Sequence, residues 1–199
     1  MVLEGIRKIT SIYPDIKPVA RRMFVTNSFD SILASLGVAV GGYSSTVDPF
    51  NLALSIAGGG LAMGVFSGML GVYLSERAER LKEITEMERK VASTLQGTIY
   101  WRAAKLAPLY VALWSGLGVV VFPLLMAMPL LLASVTGAGL FVSVVESIAI
   151  GLASMAFLGY YLGKIGGENP VVSSVRTVSM GIGGILLVSV FKMFLGIIS

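Results

Sequence analysis

Cysteine and histidine are both absent from the 199 residues. Their absence excludes disulfides, thiolate and imidazole metal sites, Cys or Ser/His nucleophiles and histidine proton relays. A metal could be held only by carboxylates, carbonyls, methionine sulfur or water. That donor set suits Mg, Ca, Mn or ferrous iron better than zinc. Charge is scarce as well, at 13% of residues, about half of the roughly 25% found in ordinary soluble domains. Asn and Gln together number four, a shortage of heat-labile side chains that accords with service at high temperature. What fills the chain instead is apolar: 55% hydrophobic residues, 24 glycines and a mean hydropathy of +0.86. This is the composition of an integral membrane protein. The net charge of +4 does not point to nucleic acid, because the basic residues follow membrane topology.

Five segments approach the roughly 20 apolar residues that a helical crossing needs: Phe24–Tyr43, Phe50–Leu74, Leu106–Ala133, Leu140–Gly163 and Val172–Ile198. Residues 1–22 carry charges, Pro14 and Pro18, not the continuous apolar core of a cleavable signal. The third segment is long for one straight crossing, and Pro108, Pro123 and Pro129 are expected to kink it or end it early.

Lys and Arg set the orientation. Five lie in residues 1–22, seven between the second and third spans, and Lys164 and Arg176 fall at the link from the fourth to the fifth. The opposite connections hold none, and only Lys192 breaks the pattern. The rule that basic residues stay inside then makes the N-terminus cytoplasmic and the C-terminus external, in a multi-pass protein of the cell membrane.

The expected fold is all-α: a polytopic membrane protein with five transmembrane helices and a cytoplasmic helical extension of the second span. Residues 23–199 form one membrane domain, with residues 75–105 as a cytoplasmic protrusion that is helical over Ser75–Gln96. Residues 1–22 are a cytoplasmic amphipathic segment. In it Val2, Leu3, Ile6, Ile9, Ile12 and Tyr13 recur at helical spacing, as in a helix lying on the membrane surface or on the protein's own loops.

Two carboxylates fall inside spans, Asp30 in the first and Glu146 in the fourth. Each costs at least ~2.5 kcal/mol to insert, so each calls for a cation, a proton or a water-filled path. Asp30 lies among Thr26, Asn27, Ser28 and Ser31, and Asp30 with Asn27 beside it reads as a cation ligand pair or as helix-packing polarity. Glu146, beside Ser143 and Ser147, reads as a second station on an ion path or as a protonated, hydrogen-bonded acid. In the second span Gly60, Gly64, Gly68 and nearby Gly71 form a smooth ridge that suits close helix packing. Met63 and Met69 flank that ridge, as core filling or as thioether ligands for a divalent ion. Glu76, Glu79, Glu83 and Glu86 then line one side of a helix, as a solvated charged face or as a low-affinity metal-gathering one. No hydrolase elbow, aspartyl dyad or nucleotide loop occurs, so the chain is not expected to be an enzyme.

In their order, three stretches are similar to the vacuolar iron transporter family, most closely its short prokaryotic and archaeal-type members. They are Arg22–Asp30 (RMFVTNSFD), Gly71–Glu76 (GVYLSE) and Gly166–Gly181 (GGENPVVSSVRTVSMG). The resemblance implies a five-helix bundle, a homodimer, and export of ferrous iron or manganese from the cytosol in exchange for protons. The metal is then substrate rather than a resident cofactor, and the partners are lipid, divalent cations, protons and a second copy. It also makes Asp30 the carboxylate of the ion path and Glu79, Glu83 and Glu86 a remnant of a cytosolic metal-binding domain. Val72 and a position near Gly60 stand where family members carry glutamates. The alternative class is a non-transporting membrane scaffold that binds a partner through its protrusion.

Overall fold

The structure, a computed structural model, describes residues 11–45 and 47–198. Every regular element among these residues is helical: α1 (Ile16–Ser44), α2 (Pro49–Ala62), a π-helical segment (Met63–Gly71), α3 (Val72–Val91), α4 (Ile99–Thr136), α5 (Leu140–Gly166) and α6 (Pro170–Ile198). Five helical runs are long and apolar enough to cross a membrane: Ile16–Tyr43, Pro49–Val91, Ile99–Thr136, Leu140–Gly166 and Pro170–Gly196. The amphipathic pattern from Val2 to Ile9 lies outside the described residues.

Side-chain chemistry explains several ends. Asp48 caps α2: its Oδ1 accepts the N–H groups of Phe50 at 3.0 Å and Asn51 at 3.1 Å, and its Oδ2 accepts the Asn51 side-chain amide. The backbone N–H of Asn51 is the largest influence holding the Asp48 carboxyl below the usual carboxylate range. The second span does not continue as helix to Gln96, because Ala92 adopts a left-handed conformation (φ 50°) and returns its N–H to the Glu88 carbonyl. The Glu88 carboxylate then accepts the Leu95 N–H at 2.7 Å and folds the chain back toward α4.

Pro108, Pro123 and Pro129 do not end α4, which stays helical from Ile99 to Thr136. Each proline removes one backbone bond, whereas stopping a helix among apolar neighbours would orphan several polar groups.

The chain forms two compact units, Met1–Asn27 with Met63–Gly118 and Ser28–Ala62 with Val119–Ser199. In the second unit small residues govern packing. Pro123 of α4 sits where a Cβ on Gly60 would lie 2.5 Å from its own Cβ. Gly151 makes room for Met126 and Leu36, and Gly181 for Met155. Gly159 and Gly163 let α5 press against the start of α6, where a Cβ on Gly159 would lie 2.8 Å from the Ser173 carbonyl oxygen. Hydroxyls of α6 then donate across to α5 carbonyls, Thr177 to Met155 at 2.8 Å and Ser174 to Ala156 at 2.9 Å. Such contacts hold apolar helices together where burial alone cannot. Most of the remaining side chains of α6 are exposed.

Adding a methyl to Gly159 must push backbone atoms apart, so Gly159→Ala is expected to destabilise by about 1–3 kcal/mol. Gly183→Ala enters open space and should leave stability unchanged or slightly raised. Thermal unfolding of both variants in detergent checks the difference.

Candidate functional site

The first unit is built on an alanine face. Ala103, Ala104, Ala107 and Val111 of α4 are buried against Ile16 and Ala20 of α1, Ile84 of α3 and Tyr13. Residues this small bring α3 close to α1 and draw Arg80, one turn before Ile84, inside with it. The Arg80 side chain is 5% exposed. It donates to Asp15 at 2.7 Å and to both Glu83 oxygens at 3.0 and 3.2 Å, and it lies 4.0 Å from Glu76. Its guanidinium also stacks 4.4 Å from the centre of the Tyr13 ring. Two buried polar atoms in this network have no hydrogen-bond partner among the described residues, Arg80 Nε and the Tyr13 hydroxyl.

Glu76 faces a second feature of the same unit. A cavity of about 210 Å³ is lined by Met23, Asn27, Ser67, Gly71, Val72, Ser75 and Glu76. Ser67 and Gly71 belong to the π-helical segment, a geometry that recurs at functional sites because its wider turn displaces backbone and side chains from the α-helical register. Beside it, Gly116 accommodates the Met69 side chain, and a Cβ there would also lie 3.3 Å from the Gly64 carbonyl oxygen. The buried Gly64 and Gly68 thus belong to a face that packs closely. Asn27 is fixed by donating its side-chain amide to the buried Ser115 hydroxyl. Carboxylate, amide, hydroxyl and thioether therefore share one small hollow.

The sequence-derived candidates are dispersed. Asn27 lines the cavity. Met69 is half-buried against Gly116, while Met63 is exposed. Glu83 is engaged by Arg80, whereas Glu79 and Glu86 are exposed. In the other unit Asp30 is exposed on α1, on a stripe with Ala34 and Val38, while Ser28, Ser31 and Ser35 face inward. No hydrogen bond or ion pair reaches Asp30 among the described residues. Glu146 is likewise exposed on α5, with Ser143 and Ser147 buried behind it. Among the described residues no three acids gather into a metal-binding group.

Sequence reasoning missed Met23, Ser75 and the hub role of Arg80. The Glu76–Arg80 spacing of one turn was a legible signal, but nothing local announced Asp15 or Tyr13 as partners.

No protein-family model matches the chain, and no solved structure matches it. It is similar to an uncharacterized protein of Methanocaldococcus jannaschii. The two are 28% identical over 161 residues, which cover 79% of this chain and 81% of that protein.

Removing Arg80 strands Glu76, so Arg80→Met is expected to cost about 2–4 kcal/mol; Asp15 and Glu83, 52% and 41% exposed, can be rehydrated and keep the loss below the upper range for buried pairs. Chemical unfolding in detergent measures it. Burial, followed by the Glu83 charge, pushes the Tyr13 hydroxyl above its ordinary value of 10.0. A raised acid keeps its proton in the folded state, so its contribution is intact below the unfolded value and lost as pH rises through the folded one. Tyr13→Phe removes an unpartnered hydroxyl. The variant should match or exceed wild-type stability at neutral pH and lose less of it above pH ~10, as read from melting curves across that range.

Proposed function

We propose that this chain is a multi-pass membrane transporter that exports divalent metal cations, Fe²⁺ or Mn²⁺, from the cytosol in exchange for protons. It works as a homodimer with its N-terminus cytoplasmic. The observation that carries the reading is Asp30, an acid on a helix apolar enough to span a membrane, exposed and without a partner among the described residues. Left facing hydrocarbon, such a group costs at least ~2.5 kcal/mol. A visiting cation, an exchanged proton or a second copy laid over the Asp30, Ala34 and Val38 stripe each removes that cost. Glu146, also exposed, offers a second acid on the same terms. The likeness of RMFVTNSFD, GVYLSE and the Gly166–Gly181 stretch to vacuolar iron transporters supports the choice of ion. The absence of Cys and His supports a hard or borderline cation carried on oxygen and thioether ligands.

The competing reading is a membrane scaffold whose charged α3 docks a cytoplasmic partner. It is favoured by the exposed Leu81, Met87 and Val91 set among the charges of that helix. A transporter should carry Mn²⁺ into proteoliposomes, and a scaffold should leave the vesicles empty of it.

In proteoliposomes Asp30→Asn is expected to lower Mn²⁺ flux by about tenfold or more. Flux equal to wild type would take Asp30 out of the mechanism.

A further inference from the structure

We infer that the cavity beside the π-helical segment is a divalent-cation site, with the Glu76 carboxylate as its anionic ligand. Asn27, Ser67 and Ser75 supply neutral oxygens and Met23 a thioether. Binding follows from the cavity itself; the role of this site as a waypoint for the transported ion rests on the function proposed above.

Charge balance is the first ground. Arg80 takes Asp15 and Glu83 at hydrogen-bond distance but stands 4.0 Å from Glu76. Glu76 is therefore left without a hydrogen bond among the described residues, although its side chain is only 13% exposed. Among the described residues one buried guanidinium is shared by three carboxylates, and its hydrogen bonds go to the two other than Glu76. Arg22, itself exposed, is the other cation that acts on Glu76. A half-buried carboxylate in that position is short of positive charge, and a divalent ion supplies it.

The neutral ligands are the second ground. Helical serines in this chain commonly spend their hydroxyls on a carbonyl of the preceding turn, as Ser55, Ser154, Ser179 and Ser189 do. Ser67 and Ser75 make no such bond among the described residues and line the cavity together. The Asn27 amide nitrogen donates to Ser115, and no donor reaches its carbonyl oxygen among the described residues. A cavity of about 210 Å³ has room for an ion that keeps part of its water shell. Oxygens with one thioether favour Mn²⁺ or Fe²⁺ over Zn²⁺, and the thioether disfavours Mg²⁺.

The test is titration of the purified full chain in detergent with Mn²⁺ alone, following free Mn²⁺ by electron paramagnetic resonance. Glu76→Gln is expected to weaken binding at this site about tenfold or more, and Ser67→Ala with Ser75→Ala several-fold. Wild-type affinity in a folded Glu76→Gln protein overturns the proposal. If Glu76→Gln fails to fold, wild-type affinity in the double serine variant overturns it instead. Flux through Asp30→Asn separates the two ideas. Unchanged flux with binding lost in Glu76→Gln removes the transport role of Asp30 and leaves the site standing. Unchanged binding in Glu76→Gln removes the site whatever the flux.

Discussion

Five helical runs here are long and apolar enough to cross a membrane, and helices of that kind gain little in lipid by hiding from one another, so close contacts must hold them together. In this chain those contacts depend on small residues. Ala103, Ala104 and Ala107 bring α3 and α1 onto α4, and without that closeness Arg80 could not reach Asp15. Gly159 and Gly163 bring α6 onto α5 closely enough for Thr177 and Ser174 to find carbonyls across the interface. The polar bonds follow from the backbone approach, and the backbone approach follows from missing side chains.

The same constraint sorts the acids. Asp15, Glu76 and Glu83 surround one guanidinium, where Coulomb attraction repays part of their desolvation. Asp30 and Glu146 are left on outward faces, with serines turned inward behind them. A buried hydroxyl can return its proton to a carbonyl of its own helix, as Ser31 does to Ser28 at 3.0 Å. An ionised carboxylate has no proton to return, and Asp30 and Glu146 lie on the outward faces. That difference in hydrogen-bonding capacity separates the outward acids from the inward serines on these helices.

The π-helical segment links packing to chemistry within its unit. Gly64 and Gly68 face the interior, and Gly116 yields space to Met69. Ser67, on the other side of the same stretch, is free to line the cavity with Glu76. An α-helical register over these nine residues would turn the following residues relative to the preceding ones and redistribute those roles.

The presence of five apolar runs and the placement of Lys and Arg follow from composition and order alone. A helix of this kind satisfies its own backbone and needs no distant residue to exist. The ends were less legible, because Glu88 stops α3 through bonds to Thr94 and Leu95, and α4 keeps its three prolines where local rules expected a break. Asn27 could be picked out in sequence beside Asp30, yet folding gave it to a different neighbourhood, with Met23, Ser75 and Glu76. Arg80 reads locally as a surface i, i+4 partner of Glu76 and becomes a buried hub only because Asp15 lies 65 positions away in the chain and beside it in space. Local periodicity determines which residues are helical; which acids are paired and which are left open depends on contacts between helices, and those are a property of the packed chain.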